Sequence, residues 1–216
     1  GMFIAKRKIQ LKKESNMHLQ RTLKKEIFCS SIGLHTGRKV NMQINPASAD
    51  TGIVFVRKDL PNARPIPADF KSVCDTTLAT TIGDNGNTVS TIEHLMSAFC
   101  GMGLDNAVVE IDSFEVPIMD GSARPFVNML KKVGTRPQGK FKKMLVIKKP
   151  VSVKEGEGSA MLLPSNEFKI TYDIDFKNKI IGRQSYSFLF SDKNYEDNIC
   201  CARTFGFLKE VEFLQA

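Results

Sequence analysis

The feature that most constrains this chain is a change of hydrophobic period along its length. Apolar residues alternate with polar ones, as in half-buried strands, at Val40-Met42-Ile44, at Ile53–Val56 and most cleanly at Ile170-Tyr172-Ile174-Phe176. Further strands are predicted at Met144–Ile147, Val151–Val153, Met161–Leu163 and Tyr186–Phe190, and Asn106–Ile111 reads as a more buried one. Twice in the first half the period becomes helical. Ser90–Met102 sets Ile92, Leu95, Met96 and Phe99 on one face, with Ser90 and Glu93 spaced as a capping box. Ser122–Val133 groups Phe126, Met129, Leu130 and Val133, with Pro125 in the first turn, Lys131 and Lys132 in the last, and Gly134 as a stop.

A chain of 216 residues can build two small cores. Gly134–Lys140 (GTRPQGK) is rich in Gly, Pro and charge and predicts a linker. It would separate a first domain over 18–134 from a second beginning at 141, with 1–17 a disordered basic tail. The net charge of +8 supports that tail, because residues 1–25 hold eight basic groups and one acid, Glu14. With 31 basic and 23 acidic residues in all, the remainder carries 23 against 22 and is nearly neutral. A solvated tail, with no nucleic-acid partner, is the plainer reading. The competing one, nucleic-acid binding through the tail, predicts a steeply salt-dependent affinity that vanishes when residues 1–16 are removed.

Gly1 reads as a processing remnant, and Met17 as the start of the functional chain. Met2–Ala5 is too short for a secretory signal, and no run approaches the roughly 20 apolar residues of a transmembrane segment. Five Cys without zinc-type spacing point to reduced thiols and a cytoplasmic location. Phe207–Gln215 reads as an amphipathic helix presenting Phe207, Val211 and Leu214; the chain then stops at Ala216 without a helix-ending signal, which predicts a truncated protein.

The three histidines are His18 in the tail, His35 in the Gly33–Gly37 turn and His94 beside Glu93. On a helical wheel Glu93 and His94 lie about 100° and 160° from Ile92, away from the packed stripe. Two readings stand. A carboxylate beside a metal-bound water can act as general base; equally, Glu93 can complete the capping box and His94 can be a surface residue. A catalytic zinc takes three protein ligands and a water, and the sequence offers no HExxH, no CxxC pair and no second histidine in register.

The ordered set GLHTG (Gly33–Gly37), DTTL (Asp75–Leu78), STIEHL (Ser90–Leu95), GLDN (Gly103–Asn106), EVPIMDGSARPFV (Glu115–Val127) and ARTFGF (Ala202–Phe207) resembles the zinc-dependent UDP-3-O-acyl-N-acetylglucosamine deacetylase family of lipid A synthesis. The resemblance runs from about Gln20 to Gln215. It implies an α+β fold of two similar domains, each a small sheet packed on helices, with the second incomplete here. It implies removal of an N-acetyl group from UDP-3-O-acyl-N-acetylglucosamine, with Zn held between the domains. It makes His94 a metal ligand, Glu93 the general base and Thr204 the donor to the developing oxyanion. Leu78, Phe205, Gly206 and Phe207 would lie against substrate, with His35 near the site. Phe176–Tyr195 is the candidate for the insert that forms the acyl groove.

The departures from the family pattern are specific. The two remaining zinc ligands, a His and an Asp one turn apart on a later helix, would fall beyond Ala216, as would the His that protonates the leaving amine and a nearby Lys. Ala79 stands where some members carry a Cys near the metal. The chain as given is therefore expected to be inactive, and the alternative is a non-catalytic fragment that keeps the fold without the remaining ligands. The sequence leaves oligomeric state, acyl-chain length and any fused hydratase domain open.

Overall fold

A computed structural model describes residues 19–178 and 180–206. In chain order the first part runs β1 (Leu19–Leu23), β2 (Ile27–Ile32), β3 (Lys39–Pro46), β4 (Ile53–Arg57), β5 (Ile66–Pro67), a 3-10 turn (Phe70–Ser72), β6 (Val73–Asp75), β7 (Thr81–Asp84) and β8 (Asn87–Val89). It continues with α1 (Glu93–Gly101), β9 (Ala107–Ile111), α2 (Arg124–Val133) and β10 (Thr135–Phe141). The remainder is β11 (Val151–Glu155), β12 (Gly158–Leu162), β13 (Lys169–Asp175), β14 (Arg183–Leu189) and α3 (Asp192–Asn198). Sheets and helices together make an α+β chain. It divides into two compact units, one of Gly1–Lys142 with Glu196–Ala216 and one of Lys143–Tyr195.

The first unit is organised by a five-stranded sheet of order β2-β3-β9-β4-β5, in which β9 runs antiparallel to β3 and parallel to β4. Alternation decides its faces. Val40, Met42 and Ile44 of β3 and Ala107, Val109 and Ile111 of β9 are at most 2% exposed, whereas Asn41, Gln43 and Glu110 between them point outward and are only partly covered or exposed. Leu95, Ala98 and Phe99 of α1 and Phe126, Val127 and Leu130 of α2 are likewise buried; the two helices lie against each other, and α2 also against β2. A smaller sheet, β6-β7-β8, leads into α1.

Both helices form where the period predicts them, but only α2 keeps its expected signals. Pro125 lies in its first turn, Lys131 and Lys132 in its last, and Gly134 ends it at φ +77 with its N–H on Leu130 O. The capping box of α1 does not form. The helix begins at Glu93, its N-cap is Ile92, and no side chain caps it. Ser90 is instead drawn into a parallel bridge with Glu115, and its hydroxyl accepts from Thr81 Oγ1 at 2.9 Å. Tertiary pairing thus takes its backbone and its hydroxyl away from the helix end.

The expected linker is a strand. Thr135–Phe141 pairs antiparallel with β1, with Pro137 opposite Arg21. This two-stranded sheet tolerates a residue that cannot donate to the ladder. Asn106 secures the pair: its Nδ2 donates to Gln20 Oε1 at 2.9 Å and Gln138 Oε1 at 2.8 Å, and its Oδ1 accepts from Gly52 N at 2.8 Å. The GLDN motif is thereby structural in this fold.

The second unit consists of two hairpins, β11–β12 and β13–β14. Phe190 stacks among Phe168, Phe188 and Tyr195 at ring separations of 5.6, 6.1 and 6.4 Å. Met144–Ile147, expected as a strand, has no regular structure. The expected Phe207–Gln215 helix and the basic tail lie outside the described residues, and all five thiols are unpaired.

Candidate active site

GLHTG folds as a tight turn in which Gly33 N donates to Arg38 O at 2.9 Å and Gly37 N to Gly33 O at 3.0 Å. The turn aims successive backbone N–H groups at one carboxylate. His35 N lies 3.0 Å from Glu115 Oε1, and Thr36 N lies 3.1 Å from Glu115 Oε2. Thr91 Oγ1 donates to Oε1 at 3.1 Å. Glu115 is 0% exposed. A carboxylate taken fully from water is tolerable only with such donors, and successive backbone N–H groups form an anion-holding nest. A Cβ on Gly33 would collide with Glu115 Oε2 and Thr36 Oγ1, so this close approach requires glycine. His35 presents Nε2 into an enclosed position, without a hydrogen-bond partner among the described residues.

The segment around Glu115 also holds the start of α1. Ser90 N donates to Phe114 O at 2.8 Å, and Val116 N to Ser90 O at 3.0 Å. Thr91 is buried and sits at φ +58, a left-handed conformation that a β-branched residue adopts only when its surroundings enforce it. Glu93 and His94 follow in the first turn of the helix, both half-buried. Glu93 Oε2 accepts from Thr80 N at 3.2 Å, which ties the helix end to the loop of residues 76–80. A carboxylate at this end also suits the helix dipole. Leu78 lies in that loop at φ +61 and is 69% exposed. Asp75 opens the loop by accepting from Thr77 N at 2.9 Å, a bond that holds the Asp75 carboxyl below its ordinary range.

Thr204 lies after α3 in chain without regular structure and is exposed, as are Phe205 and Gly206. Its N–H donates to Gly121 O at 2.9 Å. Beside this contact Asp120 accepts from Ser122 Oγ at 2.7 Å, which lowers the Asp120 carboxyl, and Arg203 approaches it at 3.7 Å. Phe207 lies outside the described residues, as does the helix that Thr204 would precede. Glu93 and His94 are adjacent, but no hydrogen bond among the described residues joins either to Thr204. Both sites attach to one stretch of chain, Ser90 at 114–116 and Thr204 at 121.

The metal test is the donor count. A catalytic zinc takes three protein ligands, and no three His, Cys, Asp or Glu among the described residues are grouped to hold a metal. The described residues therefore supply no complete ligand set around His94. Glu115 is the residue that sequence reasoning missed. Its signal was available: an acid directly before the apolar run Val116-Pro117-Ile118 must either be exposed or be supplied with donors.

A family model described as UDP-3-O-acyl N-acetylglycosamine deacetylase matches residues 20–216. The UDP-3-O-acyl-N-acetylglucosamine deacetylase of Syntrophus aciditrophicus is 60% identical over 200 residues, covering 93% of this chain and 64% of that protein. Those of Citrifermentans bemidjiense and Teredinibacter turnerae are 48% and 49% identical over 200 and 199 residues, covering 93% and 91% of this chain and 66% of each relative. The chain thus spans just under two thirds of the length of these relatives. With nearly the whole chain inside the match and the six motifs in order, it belongs to the UDP-3-O-acyl N-acetylglycosamine deacetylase family.

Proposed function

We propose that this chain forms part of an amide hydrolase that removes the N-acetyl group of UDP-3-O-acyl-N-acetylglucosamine, releasing acetate and a free amine, in the committed step of lipid A synthesis. The observation that carries the proposal is the pairing of Glu93 with His94 in the first turn of α1, half-buried beside the Leu78 loop. Zinc is the cofactor of this proposal and His94 one of its ligands. Because the described residues do not supply three, the steps run only through the chain's own groups.

Glu93 accepts the proton of the attacking water; its carboxylate is oriented for this by the Thr80 N–H. Thr204 donates to the oxyanion that appears in the tetrahedral state, an interaction absent from the ground state and therefore catalytic. His35, Leu78, Phe205, Gly206 and Phe207 line the substrate, and the 176–195 region supplies the groove for the acyl chain. On this proposal the chain carries a first α+β domain, drawn from the sequence over 18–134 and extended by the Thr135–Phe141 strand that pairs with β1, and the start of a similar one after it, and works in the cytoplasm without a nucleic-acid partner. No helix among the described residues is long and apolar enough to cross a membrane.

The test uses the full-length protein that carries this sequence. Glu93→Ala is expected to keep its bound zinc and lose turnover by about 10²–10⁴-fold, whereas His94→Ala loses zinc. Wild-type turnover in Glu93→Ala would overturn the base assignment. The 216-residue chain alone is expected to bind zinc weakly and release no acetate.

A further inference from the structure

We propose that Glu115 is a positioning residue for this reaction: its buried carboxylate sets the backbone from which Glu93 and His94 emerge. This rests on the assignment of Glu93 as base. Glu115 touches none of the reacting groups. It acts through Thr91, whose hydroxyl it accepts at 3.1 Å and whose φ of +58 turns the chain from the Ser90 bridge into α1. Only Ile92 separates that residue from Glu93. Without the carboxylate, Thr91 loses the side-chain bond that holds it left-handed, and the helix can unwind or rotate at its first turn.

Two further contacts make Glu115 the junction of the site rather than a local brace. The carboxylate also fixes the His35–Thr36 turn through two backbone N–H groups. The chain that leaves it is pinned in turn: Ile118 N donates to Ile32 O at 2.9 Å, Gly121 N to Ile118 O at 3.0 Å, and Gly121 O receives Thr204 N at 2.9 Å. Seven residues, 115–121, therefore link the placement of the proposed base to that of the proposed oxyanion donor. A glutamine at 115 keeps the volume but turns one oxygen into an NH₂ group facing N–H donors, so it breaks the nest without opening a cavity.

The experiment compares Glu115→Gln with wild type and with Val40→Ala, a core change in β3, in the full-length zinc-loaded protein below the melting range of all three. Turnover by Glu115→Gln is expected to fall about 10²-fold, the scale of a small misplacement of a catalytic group, with KM changed far less. Amide exchange at residues 92–95, measured without substrate, is expected to rise about tenfold or more while that of β9 stays unchanged. Val40→Ala is expected to lower Tm and leave kcat near wild type. A folded Glu115→Gln protein with wild-type kcat overturns the proposal, as does one whose kcat loss is matched by Val40→Ala or whose exchange at 92–95 does not change. Should Glu115→Gln fail to fold, Thr91→Ala reads the same two quantities: a fall in kcat with faster exchange supports the proposal, and no change in either overturns it. Glu93→Gln decides the base assignment separately, because the exchange readout does not depend on which group takes the proton.

Discussion

Strands β3 and β13 carry the same message in sequence and meet different fates. Val40-Met42-Ile44 and Ile170-Tyr172-Ile174 both alternate cleanly. In β3 the apolar residues are at most 2% exposed; in β13 Ile170 and Tyr172 remain 46% and 69% exposed. Propensity does not separate them. The difference lies in what each strand has for company. β3 lies between β2 and β9 in a five-stranded sheet, in a unit where two helices also bury one face each, while β13 pairs, among the described residues, with β14 alone. Alternation names the face that needs covering; only a second layer covers it. A two-stranded hairpin is marginal without one.

The sharpest way to break this comparison is to truncate one aromatic in each unit. Phe55 in β4 is 0% exposed. Phe55→Ala is expected to cost about 3–5 kcal/mol, from lost transfer energy and the cavity left behind. Tyr172→Ala is expected to cost no more than about 0.5 kcal/mol, since most of its ring is already in water. Urea denaturation of both variants checks this; equal losses would mean that Tyr172 has a covering layer in solution.

The sequence revealed elements better than it revealed their joints. Helices α1 and α2 and the strands β3, β4 and β9 are legible because burial on one face leaves a periodic trace; β11, β12, β13 and β14 carry apolar residues in strand pattern although these stay largely exposed. The capping box failed because Ser90 had a stronger tertiary offer, a bridge to Glu115, that lies 25 residues away in sequence. The linker failed because Gly and Pro mark edge strands as well as loops: Thr135–Phe141 is held by Asn106 and Gln20, polar residues with no periodicity to betray them. Within the candidate site, Glu93 and His94 were legible as a pair off the core stripe, and both are half-buried. Their support, Glu115, was marked only by its place directly before the apolar run Val116-Pro117-Ile118, because a buried carboxylate meeting backbone N–H groups leaves no spacing signal.

Thr204 sharpens the comparison from another side. It is exposed, like Tyr172, yet it belongs to the unit that carries the proposed base, Glu93. Exposure alone would rank the two equally. In the full-length protein, Thr204→Val is expected to fold and bind substrate almost normally and to turn over about 10²–10³-fold more slowly, as when one oxyanion donor is lost. A plain helix cap would instead cost about 1 kcal/mol of stability and leave turnover intact. Steady-state kinetics alongside a melting curve separates the two, and a lowered Tm with unchanged kcat would remove Thr204 from the mechanism.

The smallest expected effect concerns charge, where the two units again differ by their surroundings. In the first, the Arg57 side chain is 7% exposed and donates from Nε and Nη2 to the two oxygens of Asp59, at 2.8 and 2.6 Å. These bonds hold the Asp59 carboxyl below its ordinary range, against a smaller opposing effect of burial. In the second, Asp175 and Arg183 face each other across the β13–β14 ladder with both side chains exposed. A carboxyl lowered on folding stabilises the native state above its unfolded pKa of about 3.9, and that contribution disappears as pH falls through the lower folded value. Asp59→Asn should therefore lose stability at neutral pH and show a shallower decline as pH drops from about 5 toward 3. Asp59 itself is about one-third exposed, so solvent screening keeps the change to about 1 kcal/mol or less. Asp175→Asn should leave both the neutral-pH midpoint and the slope as they were. Urea midpoints measured across that range decide it: parallel curves for wild type and Asp59→Asn would show that the Arg57 fork contributes nothing that the surface pair does not.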